Sequence, residues 1–138
     1  MKKLHVAFAL PFVWLMGCST LPKADYSDPK LSPETVLITY HVKAGKEFDM
    51  EQVLEHAWKI YTAEHLVFPE PHLLLLDRGN AERPRLTEVF TWVSHSAPDH
   101  APASVRDIWS QMQSLCEARD GHDGLEISEV EMIGPKKW

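Results

Sequence analysis

The run Arg85-Leu-Thr-Glu-Val-Phe-Thr-Trp-Val-Ser94 constrains this chain more than any other stretch, because its alternation suits one kind of secondary structure. Leu86, Glu88, Phe90 and Trp92 fall on one side and Thr87, Val89, Thr91 and Val93 on the other, the period of two that a β-strand requires. One side is β-branched; the other carries a carboxylate among large rings. The pattern predicts a central strand whose β-branched side lies under helices and whose ringed side faces a cleft. His95-Ser-Ala-Pro-Asp-His-Ala-Pro102 continues it as a polar, proline-bounded loop leading into the last helix.

The other elements arrange themselves around that strand. Thr35 to Val42 is rich in β-branched residues and reads as a strand. Lys43-Ala-Gly-Lys46 turns the chain, and Asp49 with Gln52 stands at capping-box spacing before a helix reaching about Leu66. Met50, Val53, Leu54, Ala57, Trp58, Ile60 and Tyr61 give that helix a broad apolar face. Pro69 and Pro71 close the region, and His72 to Asp77 reads as a short strand. Ser104 with Asp107 marks a second helix to about Ala118, its stripe formed by Val105, Ile108, Trp109, Met112, Leu115 and Cys116. Asp120-Gly-His-Asp-Gly124 stops it, and Leu125 to Ile133 alternates as a closing strand.

The order β-α-β-β-α-β is the ferredoxin-like plan, an α+β fold in which a four-stranded antiparallel sheet carries both helices on one face. The other face is then bare, with Thr35, Leu37, Thr39 and His41 beside Leu86, Glu88, Phe90 and Trp92 as its expected occupants. An apolar face left open to water is an association site, and a second copy in a symmetric dimer covers it most economically.

Ahead of this domain, placed at residues 35–133 with a tail over 134–138, lies a targeting segment. Lys2 and Lys3 precede an apolar run, Leu4 to Met16, too short to span a bilayer stably, and Gly17 stands before Cys18; residues 1–17 read as a secretory signal. Leu15-Met-Gly-Cys18 resembles the lipobox of bacterial lipoproteins, which implies a diacylated Cys18 as the mature N-terminus; a plain signal with a chance cysteine is the alternative. By the same resemblance, Ser19 in place of aspartate implies the outer membrane, with the chain facing the periplasm. Residues 18–34, with Pro22, Pro29 and Pro33, read as a tether spanning about 20–25 Å. The formal charge is −6, and removal of the signal takes two lysines and no acid, making it about −8. An acidic domain without a basic stripe is a poor partner for nucleic acid.

Val36-Leu-Ile-Thr-Tyr-His-Val-Lys-Ala-Gly-Lys-Glu47, the helix with Ala57-Trp58, and Glu88-Val-Phe-Thr-Trp-Val93 are similar to the dimeric α+β barrel superfamily, in particular the domains related to antibiotic-biosynthesis monooxygenases. The resemblance runs from residue 35 to about 133. It implies a half-barrel per subunit and a pocket between sheet and helices. It also implies a spread of activities, including cofactor-independent oxygenases, haem binders, isomerases and decarboxylases. No catalytic motif of the family can be placed on particular residues, and a fold of this kind hosts many functions.

Eight histidines raise the question of metal, yet no His-Glu-x-x-His or Cys-x-x-Cys is present, and neither His95/His100 nor His56/His65 has one-turn spacing. Scattered surface histidines and no metal are the reading. No cofactor is expected, although a single haem-ligating histidine leaves no spacing to read, so haem stays open. Asp99-His100 could be a carboxylate-oriented base, or simply local loop structure. His41, Glu88 and Trp92 are expected to share the cleft face, with Glu88 acting as a proton shuttle or else in a salt bridge to Arg83, Arg85 or a partner subunit. Thr39, Phe90 and Trp92 are the expected ligand contacts; Tyr40, Trp58 and Trp109 read as core, and Cys116 as a buried, inert thiol. Three functions follow from this set. The first is a lipid-anchored envelope homodimer binding a small, partly aromatic ligand. The second is a cofactor-independent oxygenase or isomerase with Glu88, His41 or His100 as base, and the third is a structural envelope protein.

Overall fold

A computed structural model describes residues 29–134 apart from Arg78. The signal segment, Cys18 and most of the expected tether lie outside the described residues, as does the end of the tail. Strand β1 (Glu34–His41) leads to helix α1 (Glu47–Ala63), then β2 (Val67–Asp77), β3 (Arg85–Trp92), helix α2 (Ala103–Leu115) and β4 (Leu125–Glu129). The sheet order is β2-β3-β1-β4 with every neighbouring pair antiparallel, which is the ferredoxin-like arrangement. Met50, Leu54, Ala57 and Tyr61 of α1 and Val105, Ile108 and Met112 of α2 join Val36, Ile38, Tyr40, Leu86, Phe90 and Trp92 of the sheet in one core, so both helices cover the same face. Among the described residues no helix is long and apolar enough to cross a membrane.

The register decides which side of each strand is covered, and it corrects the sequence reading of β3. Ile38 pairs with Glu88 and Val36 with Phe90, while Leu37 pairs with Val89 and Thr39 with Thr87. Directly paired side chains share a face. Leu86, Glu88, Phe90 and Trp92 therefore lie under the helices with Val36, Ile38 and Tyr40, and not on the open face with Thr39 and His41. The physical reason is size. Rings fill the wide space between a sheet and its helices, whereas the flat outer face accepts short β-branched side chains. Thr35, Leu37, Thr39, His41, Thr87, Val89 and Thr91 make the open face, joined by Leu73 and Leu75 of β2 through their pairing with Val89 and Thr87.

Element ends depart from the sequence signals for local reasons. Gly45 holds φ 77° in the turn closed by Lys46 N–H to the Lys43 carbonyl, a backbone shape that L side chains avoid. Helix α1 starts earlier than expected, and the Asp49 capping box does not form; Asp49 accepts from Lys46 Nζ at 2.8 Å instead. The helix closes at Ala63 because His65, at φ 56°, ends it: His65 N–H reaches the Thr62 carbonyl and Leu66 N–H the Tyr61 carbonyl, the paired bonds of a Schellman end. Strand β2 is longer than the sequence suggested and absorbs Pro69 and Pro71 in a register shift between Val67 and His72. A sheet edge tolerates prolines because no neighbour needs their missing N–H. Buried Arg119 ties the loop after α2 to the sheet, donating to the carbonyls of Pro84 at 3.0 Å and Val42, and to Glu117 Oε1. Pro29 to Ser32 is docked, with the Lys30 and Ser32 carbonyls accepting from Ser96 and His95 N–H.

Candidate functional site

A cavity of about 360 Å³ opens between the sheet and α2. Val36, Ile38, Tyr40 and Trp92 form its floor, because even-numbered positions of β1 and β3 point toward the helices. Tyr61 comes from the last turn of α1; Trp109, Met112 and Gln113 come from α2, one turn apart on its inner stripe. Leu125 and Ile127 of edge strand β4 complete the apolar wall. The rings are set edge to face, with Phe90 to Trp92 at 4.8 Å and 76° and Trp92 to Trp109 at 6.4 Å and 84°. Trp109 Nε1–H donates to the Tyr61 hydroxyl at 2.6 Å, locking one helix wall to the other. Burial holds the Tyr61 hydroxyl well above the ordinary tyrosine range, so it stays protonated.

The mouth is polar. Glu34, at the start of β1, pairs across the sheet with Trp92, where the loop leaving β3 begins. That loop carries His95, whose backbone is fixed to Ser32 and whose Nδ1 lies 3.0 Å from Glu34 Oε2. Asp99, on a one-turn 3-10 helix at Pro98–His100, shares the rim. A carboxylate that orients an imidazole beside a ring-lined cavity is a competent acceptor or donor for a ligand's polar end.

Glu88 occupies a separate environment. Its side chain is 1% exposed, accepts from the Tyr40 hydroxyl at 2.7 Å and lies 2.9 Å from His72 Nε2. His72 in turn stacks flat on Trp58, with ring centroids 3.6 Å apart and 9° between planes. Glu88 thus touches the cavity only through Tyr40, and neither Arg83 nor Arg85 is its partner; those pair with Asp120 and Asp77. Burial, with Glu88 beside it, raises the Tyr40 hydroxyl well above the ordinary range.

The site residues expected from sequence are scattered by this geometry. Trp92 lies in the cavity wall and Phe90 packs behind it. His41 is on the opposite face, 2.8 Å from Glu126 Oε2, while His122 Nδ1 holds the other oxygen of Glu126 at 2.7 Å. Thr39 is also on that outer face. His41 and Glu88 therefore do not converge. His100 is exposed beside the rim, and the adjacent Asp99 turns to the cavity without it. Trp58 and Trp109 are only partly buried, and Cys116 is buried, its thiol pushed up to about 11 chiefly by burial. Among the described residues no group of three His, Cys, Asp or Glu side chains stands close enough to hold a metal ion. Sequence reasoning missed the Glu34–His95 pair and His72, because both depend on strand register and carry no short-range signal.

No protein-family model matches the chain, and no curated protein matches it. Solved structures do. A single-residue variant of SnoaB, a cofactor-independent oxygenase from Streptomyces nogalater, is similar at TM-score 0.58 and 13% identity over 78% of this chain and 99% of that one. Rv0793 from Mycobacterium tuberculosis gives 0.57 and 12% over 77% and 100%. A Caulobacter crescentus protein, proposed to be an antibiotic biosynthesis monooxygenase, gives 0.57 and 13% over 76% and 93%. At such identities the likeness shows a shared fold: the ferredoxin-like sheet and helices of antibiotic-biosynthesis-monooxygenase-like proteins.

Proposed function

We propose that this chain is a small-ligand-binding protein of the bacterial cell envelope, held to the outer membrane through acyl chains on Cys18 and binding a flat, mostly apolar molecule in the cavity under α2. The observation that carries the binding role is the cavity itself, walled by Trp92 and Trp109 and rimmed by the Glu34–His95 pair. Apolar walls with a few convergent polar groups are what small-molecule sites are made of. The membrane address rests on the lipobox-like Leu15-Met-Gly-Cys18. Two or three acyl chains give durable anchoring where one does not.

The partner is a second copy, seated on the open face. Leu73 and Leu75 there are 51% and 59% exposed, beside Leu37 and Val89. The binding role is tested by calorimetric titration of the intact chain with a two-ring aromatic ketone such as α-tetralone. Saturable one-to-one binding that weakens about tenfold or more in Trp109→Ala supports it; absence of saturable binding contradicts it. Metabolic labelling with palmitate, lost in Cys18→Ser, tests the anchor.

A second reading, a cofactor-independent oxygenase, is favoured by the Glu34–His95 pair and by the fold shared with SnoaB. In it His95 takes a proton from a reduced aromatic substrate stacked on Trp92, and the role first expected of Glu88, His41 or His100 passes to His95. Oxygen uptake with a panel of quinols, compared between wild type and His95→Gln, decides it. No uptake with compounds that bind ends the enzyme reading.

A further inference from the structure

Two buried tyrosines stand in the cavity wall, and their hydroxyls are committed in opposite directions. The Tyr40 hydroxyl donates a hydrogen bond to Glu88 Oε2 at 2.7 Å. The Tyr61 hydroxyl instead accepts a hydrogen bond from Trp109 Nε1–H at 2.6 Å, and its own O–H meets no acceptor among the described residues. Tyr61 is 3% exposed and lines the cavity, so whatever occupies the cavity supplies that acceptor. Protein interiors seldom leave a buried donor unmatched, because its lost hydration is not recovered. The carboxylates of this cavity, Glu34 and Asp99, lie at its rim instead.

We infer that Tyr61 is a specificity-determining residue that donates a hydrogen bond to a carbonyl oxygen of the ligand, so that the cavity selects flat carbonyl compounds which enter carbonyl first. The inference depends on the binding role proposed above and adds the chemical class of the ligand. The hydroxyl keeps its proton across the working pH range, since burial raises its pKa against the opposing pull of the Trp109 hydrogen bond. The Tyr61 hydroxyl in the wall and the carboxylates at the rim also give the ligand a polarity: a carbonyl inside, and a hydroxyl or ammonium group facing Glu34 and Asp99.

The test compares α-tetralone with tetralin, the same two-ring skeleton without the carbonyl, by calorimetry on the intact chain. Wild type should prefer α-tetralone by about 3- to 10-fold, the range a single neutral hydrogen bond gives. Tyr61→Phe should abolish that preference. Thr39→Val, which removes a hydroxyl on the outer face, should keep the preference. A preference retained in Tyr61→Phe, or lost in Thr39→Val, overturns the inference and leaves the cavity a binding site. Binding of neither probe to wild type overturns both. The infrared carbonyl band of α-tetralone bound to wild type gives a readout free of variants: a shift to lower frequency than in a hydrocarbon solvent is expected, and an unshifted band contradicts the assignment.

Discussion

Glu88 and Glu126 are each held by two side chains, one of them at least a histidine, on opposite faces of the same sheet. Glu88 lies under the helices with Tyr40 and His72 and is 1% exposed. Glu126 lies on the outer face between His41 and His122, open to water. The chemistry of the two clusters is nearly the same; the dielectric is not. Under the helices a lost partner strands a buried polar group, while outside water replaces it at once. The cavity belongs to the first environment and the proposed contact with a second copy to the second.

The sharpest way to break that contrast is to remove each carboxylate. Glu88→Ala should cost about 3–5 kcal/mol, because Tyr40 and His72 are left unmatched in the core. Glu88→Gln keeps an acceptor for Tyr40 and a group able to face His72, and should cost no more than about 1.5 kcal/mol. Glu126→Ala should lower the urea midpoint at pH 7 only slightly, because water replaces the lost carboxylate. Equal losses for the two alanine variants would erase the distinction between the faces.

Chemical protection comes next in size. The Cys116 thiol, near 11 against an ordinary 9, holds about a hundredfold less thiolate at pH 8 than an exposed cysteine. In a Cys18→Ser chain it should react with a disulfide reagent at least that much more slowly when folded than in denaturant; comparable rates would mean the core under α2 is open. On the outer face, Leu75→Asp should weaken self-association by about tenfold or more with the unfolding midpoint unmoved, as sedimentation of the same Cys18→Ser chain would show. An unchanged association constant removes the open face as the contact.

The smallest effect is in acid. Hydrogen bonds from His41 first, and then His122, hold the Glu126 carboxyl below its ordinary 4.5. A carboxylate lowered in this way stabilises the fold fully above the unfolded value, and that contribution is lost as pH falls through the folded one. The melting temperature of wild type should therefore drop more steeply than that of Glu126→Gln below about pH 4.5 and run parallel to it above pH 5. Parallel curves throughout would mean the outer cluster contributes nothing.

What the sequence disclosed, and what it hid, divides along the same line. Alternation in β3 and β4, β-branched composition in β1 and helical spacing in α1 and α2 located those elements, because burial on one side stamps such patterns on the chain. Strand β2 was legible only from its length and flanking prolines. The face that each side of β3 occupies was not legible, since Glu88 among rings fits a cleft or a core equally well until Ile38 is known to stand opposite. Trp92, expected by alternation on an open cleft face, lies instead in the wall of the cavity under α2. Glu34 and His95 gave no signal, because their 3.0 Å approach follows from Glu34 pairing with Trp92 across the sheet. His65 ending α1 in a left-handed conformation was hidden too, since that position ordinarily signals itself by glycine.

The central claim is that ligand enters the ring-lined cavity under α2 and leaves the outer face alone. Proton–nitrogen correlation spectra of the intact chain, titrated with α-tetralone, test it most directly. Saturable shifts of the Trp92 and Trp109 indole N–H signals, with the backbone amides of Thr39, His41 and Glu126 stationary, are the predicted result. Indole signals that stay fixed while those of the outer face move would contradict it.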